Sequence, residues 1–170
     1  MTSGLAIFTV FHVLISLLGL LAGLVVAGGL VAGKRLDGWT GLFLLMTAAT
    51  SVTGFGFPVE HVLPSHVVGV ISLVVLAVTI LARYGKHLAG SWLGIYVVGA
   101  VLAVYLDFFV LIAQLFLRLP ALMAAAPTQK EPPFVITQVL VLALFVWVGG
   151  AAVRGFRGEV PATRMAAQQA

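Results

Sequence analysis

Cysteine is absent from the 170-residue chain, which excludes disulfides, thiolate metal sites, cysteine-held iron–sulfur clusters and cysteine nucleophiles. Charge is almost as scarce, with only 8% of residues being Asp, Glu, Lys or Arg. A soluble fold lacks the means to cover itself under that constraint. The sequence also contains no H-E-x-x-H helix, no phosphate loop and no G-x-S-x-G elbow, which removes the zinc peptidase, P-loop and α/β-hydrolase chemistries those motifs carry. TGFGFP, at 53–58, has the glycine spacing of a nucleotide loop in outline only. It closes an apolar segment and leads into no strand–helix unit, so its glycines read as a helix end and a close-packing point.

What is present is apolar. Hydrophobic residues make up 62% of the chain and the mean hydropathy is +1.20, values that belong to membrane proteins. A spanning helix needs about 20 mostly apolar residues, and five segments qualify, at about 5–32, 39–57, 66–82, 92–117 and 134–153. The expected fold is all-α: an integral membrane bundle of five transmembrane helices filling 1–157 as a single unit, with 158–170 a mobile cytoplasmic tail. The first segment lacks a basic residue before it and exceeds the 7–15 residues of a signal-peptide core, so cleavage is not expected.

Lys and Arg set the orientation. Lys34, Arg35, Arg83, Lys86, Arg154, Arg157 and Arg164 follow the first, third and fifth segments, and only Arg118 and Lys130 fall on the other side. The positive-inside rule then places the N-terminus out and the C-terminus in, at the bacterial cytoplasmic (inner) membrane. The net charge of +4 is spread along segment ends, without the continuous patch that nucleic acid requires. Trp39 and Trp92 fall at cytoplasmic segment starts, where an interfacial belt belongs.

Within AVYLDFFVLIAQ, at 103–114, an aspartate interrupts an apolar run. A charge at bilayer depth costs at least ~2.5–3.5 kcal/mol, so Asp107 is expected to face inward and find a partner. Helical spacing places Tyr96, Ala100, Ala103, Asp107 and Gln114 on one stripe and Thr9, His12, Ser16, Gly19 and Gly23 on another. These stripes define a candidate polar pocket in the outer half: His12, Asp107, Gln114, Gln138 and His66, beside an outer-loop group of Glu60, His61, Gln129 and Glu131. The loop RLPALMAAAPTQKEPP reads either as a lid that brings Gln129 and Glu131 to the histidines or as an extended connector. Gly19 and Gly23 form a GxxxG spacing that suits packing within the bundle or a homo-oligomer face.

Three functions compete. Asp107 as interhelical glue makes the chain a structural or accessory membrane subunit with an unidentified membrane partner, and this reading leads. A small-solute or proton-linked transporter is the alternative, opposed by five helices without an inverted repeat. Haem or a transition metal on His12, His61 and His66 is the third, opposed by the loop spacing of His61 and His66. No cofactor is predicted, and an enzyme is the lesser expectation.

LFLLMTAATSVTGFGFP, LPSHVVGVISLVVLAVTILARY, YLDFFVLIAQLF and APTQKEPPF together resemble a group of small bacterial multispanning membrane proteins with no established activity. The resemblance runs from about Leu5 to Val153 and includes a TQ-x-EPPF pattern at Thr128, Gln129, Glu131, Pro132, Pro133 and Phe134. It implies a membrane bundle, and it implies that Asn is acceptable at position 107, which favours a hydrogen-bonding role there.

Overall fold

The computed structural model describes residues 3–58 and 64–156. Its elements are α1 (Ser3–Val31), α2 (Asp37–Gly54), α3 (Pro64–Ile80), a π turn (Leu81–Gly85), α4 (Trp92–Arg118), the short α5 (Pro120–Ala125) and α6 (Pro132–Phe156), with no strand among the described residues. α1, α4, α6 and the stretch from His66 to Gly85 are each long and apolar enough to cross a membrane. At 1.5 Å rise per residue, α1 with its 29 residues spans about 43 Å, well beyond the ~30 Å hydrocarbon core. α2 is the exception. It has 18 residues, opens on Asp37 and Gly38, and includes Thr40, Thr47, Thr50 and Thr53, so its composition alone does not mark it as a span.

Segment boundaries follow proline chemistry. α3 starts at Pro64 and α6 at Pro132, both ahead of the starts expected at 66 and 134, because proline suits the first turn of a helix, where its missing N–H is not needed. The third segment does not run out at 82. It widens into the π turn, where the Lys86 N–H reaches back to Leu81 O at 2.8 Å and Ala82 and Arg83 are turned inward. The long loop after α4 also differs from both a lid and an extended connector, since α5 and the turn after it fold back onto α4. Residues 157–170, expected as a tail, lie outside the described residues.

The five long helices alternate in direction. α4 is central and packs on α1, α3 and α6, while α1 packs on α2 and α6, and α2 on α3. Close approach comes from glycines, as lipid-embedded interfaces require. An added Cβ at Gly23 would come 2.9 Å from both Phe43 and Val104, and one at Gly19 would come 3.2 Å from Met46. Both glycines of that spacing are thus engaged within the chain. The main core, centred on Phe43, Tyr96, Ala100 and Val104, sits toward the end carrying Arg83. A second cluster of Ile112, Phe116 and Ala126 lies at the α5 end. Outward faces are apolar throughout, with Ile7, Leu14, Leu45, Leu140 and Trp147 all more than 60% exposed. For a bundle this small, that is far more exposed apolar surface than a water-soluble monomer carries.

Candidate functional site

Small residues on α4 create the space into which Asp107 points. Ala100 and Ala103 share its stripe and are fully buried, and the fully buried Thr47 of α2 fills the gap opposite. The Thr47 hydroxyl donates to Asp107 Oδ2 at 3.0 Å. Two turns further along α2, Thr53 Oγ1 lies 2.8 Å from His12 Nδ1 on α1. Thr53 Oγ1 also lies 2.7 Å from the Ala49 carbonyl; with its single proton there, the bond to His12 is donated by Nδ1, and with that proton turned to His12, Nδ1 accepts. The imidazole stands edge-on to Phe57, with ring centroids 5.1 Å apart. Between these two bonded pairs the hydroxyl of Thr50 is buried without a partner among the described residues. Thr47, Thr50 and Thr53 therefore form a hydroxyl ladder at three-residue spacing, with Asp107 at one end and His12 at the other.

His12 and Asp107 each bond a threonine of α2 and have no hydrogen bond to one another. The remaining expected residues are distributed more widely. Gln138 is buried on α6 and donates from Nε2 to the Phe109 carbonyl at 3.1 Å, while its Oε1 has no partner among the described residues. Gln114 accepts from Arg118 on its own helix at 3.4 Å. His66 lies in the first turn of α3, and its ring rests against Phe55 at 5.5 Å. Gln129, at φ +57°, donates to the Ala113 carbonyl at 2.7 Å and fastens the loop to α4. Glu131 accepts from the Thr128 hydroxyl at 2.8 Å and from the N–H groups of Thr128 and Lys130. Partial desolvation raises the Glu131 carboxyl and these hydrogen bonds outweigh it, so the group titrates below the ordinary glutamate range. Glu60 and His61 lie outside the described residues.

The Arg83 end holds a cluster that sequence reasoning missed. Arg83, counted above as a topology signal, is buried within the bundle. Its guanidinium pairs with Asp37 of α2 and lies over Tyr96 at 5.0 Å and Tyr84 at 5.6 Å. The Tyr96 hydroxyl in turn reaches Thr40 at 3.4 Å. The pair is lopsided, with side-chain exposures of 6% for Arg83 and 78% for Asp37. Part of the signal was available: Asp37 and Arg83 both fall at ends of apolar segments, where an acid and a base within reach should pair. What the sequence hides is the π turn that swings Arg83 inward.

Among the described residues no three His, Cys, Asp or Glu side chains gather closely enough to hold a metal. Two open apolar furrows on either side of α4, about 530 and 450 Å³, include neither His12 nor Asp107. No family model matches the chain, and no curated protein or solved structure matches it.

Proposed function

We propose that the chain is a bacterial inner-membrane protein of five spans, N-terminus out and C-terminus in, that serves as a structural or accessory subunit of a membrane assembly. One observation carries this reading: the polar side chains of the interior are used to join helices. Thr47 to Asp107, His12 to Thr53, Gln138 to Phe109 and Arg83 to Asp37 each bridge two helices, and intramembrane bonds of this kind contribute about 0.6–2 kcal/mol apiece. The fifth span is α2. Its polar residues Thr40 and Thr47 are buried while Leu45 and Val52 are exposed, which supports a helix that shows lipid its apolar side. The test is purification in mild detergent with an affinity tag: a larger membrane partner in constant ratio is expected, and recovery of this chain alone from cells grown under many conditions would remove the accessory role.

A second reading, proton-linked passage of a small solute, is favoured by the unpartnered Thr50 hydroxyl between Asp107 and His12. Intramembrane ionisable groups on a hydroxyl ladder are the elements of a proton relay. Uptake or proton release by vesicles that disappears in Asp107→Asn would establish it.

A further inference from the structure

Where α3 and α6 pack on α4, its outward ridge, Val98 and Leu102, is left with a furrow on each side. The α3 furrow has about 530 Å³ and the α6 furrow about 450 Å³, each within the usual ~300–1,000 Å³ of a small-molecule site. Their linings are almost wholly apolar, and no charged residue enters either. Gly94 widens the first, since an added Cβ there would meet nothing within 4 Å, whereas at Gly149 and Gly150 in the second furrow it would lie in ordinary contact with Val101 at 3.7 Å and Arg154 at 3.5 Å.

The two furrows end alike. At the Arg83 end, Ser91 lines the first furrow and Trp92 follows it, with Lys86 Nζ above the Trp92 ring at 5.6 Å. The second furrow closes on Gly150 and Val153, where the exposed Arg154 donates from Nε to the Gly150 carbonyl at 3.0 Å. Each apolar channel thus has one exposed cation at the same end. Two parallel apolar channels sharing a ridge, with positive charge at one end of both, are complementary to a molecule with two hydrocarbon tails and one anionic head.

We propose that this face of α4 is a site for a single anionic diacyl phospholipid. Its acyl chains lie in the two furrows astride Val98 and Leu102, and its headgroup phosphate is held between Lys86 and Arg154. The site rests on the spanning arrangement proposed above but not on an accessory role. A reporter fusion tests the spanning arrangement and lipid retention tests the lipid site, so the two readings fail separately.

The experiment is native mass spectrometry of the full chain released from vesicles of equal phosphatidylglycerol and phosphatidylcholine. The wild type is expected to retain one phospholipid per chain, with phosphatidylglycerol favoured by about 25-fold, since each of the two cations near an anionic headgroup is worth about a fivefold factor. The double variant Lys86→Gln, Arg154→Gln should keep its lipid and lose the preference. Gly94→Leu fills the first furrow from an open position and should cut retention of both lipids several-fold. Wild-type retention of both lipids in the vesicle ratio overturns the proposal. So does unchanged retention by Gly94→Leu, or a lipid-free dimer occupying the face. If Gly94→Leu fails to fold, the wild-type ratio and the charge variant decide alone.

Discussion

At the scale of single residues, Asp107 acts by accepting a hydrogen bond, and Asn keeps an oxygen acceptor for the Thr47 hydroxyl while Leu does not. Asp107→Asn is therefore expected to leave unfolding in detergent nearly unchanged, and Asp107→Leu to destabilise by about 1–3 kcal/mol through the orphaned hydroxyl and the misfit. Equal tolerance of both would show that the bond does not matter. Asp37 is largely exposed, yet its removal strands a buried guanidinium. Asp37→Ala should cost ~1–3 kcal/mol, and Arg83→Met in the same background should recover part of it. Glu131 supplies the pH dependence. Its folded-state carboxyl titrates below its unfolded value, so its contribution is present above the ordinary glutamate range and is lost as pH falls through the depressed value. Protection of the Thr128 and Lys130 amides, taken relative to their intrinsic exchange rates at each pH, should fall on acidification, and should already be lost at neutral pH in Glu131→Gln. Asp107 was legible because charge inside an apolar run stands out. Arg83 was not, because at a segment end a buried arginine and a solvated one read alike.

At the scale of elements, glycines separate into those that hold two helices together and those that do not. Near the Arg83 end α6 crosses α1 so closely that a Cβ at Gly155 would collide with the Val31 carbonyl, a backbone atom that cannot rotate away, whereas one at Gly28 meets nothing. Gly155→Ala is expected to lower the thermal midpoint markedly. Gly28→Ala should be neutral or raise it slightly, since alanine is favoured over glycine by up to ~1 kcal/mol within a helix. Similar losses for both would mean that the crossing is not tight. Sequence spacing identified Gly19 and Gly23 as an interface pair without saying whose interface, because a helix face does not encode which neighbour meets it. α5 was invisible for another reason. Six residues, PALMAA, have no room for a period, and the fold-back depends on Gln129 reaching a carbonyl of α4.

At the scale of the whole molecule, the apolar exterior and the five long helices were legible from composition and hydropathy, and the arrangement around α4 was not. A reporter fused after Arg157 should read cytoplasmic, and a periplasmic signal there would overturn the orientation and with it the five-span count. The threonine ladder of α2 has a consequence for how the chain is made. α2 carries an aspartate and four threonines in 18 residues, and every one of those hydroxyls would face hydrocarbon if the helix entered the bilayer alone. In the finished bundle Thr47 packs against Gly19 of α1 and Thr53 bonds His12 of α1. During synthesis, then, α2 should not leave the insertion machinery as an independent helix. It should wait there for α1 and enter the lipid with it as a hairpin, so that a nascent chain with α1 replaced by a generic polyleucine span would stall with α2 still outside.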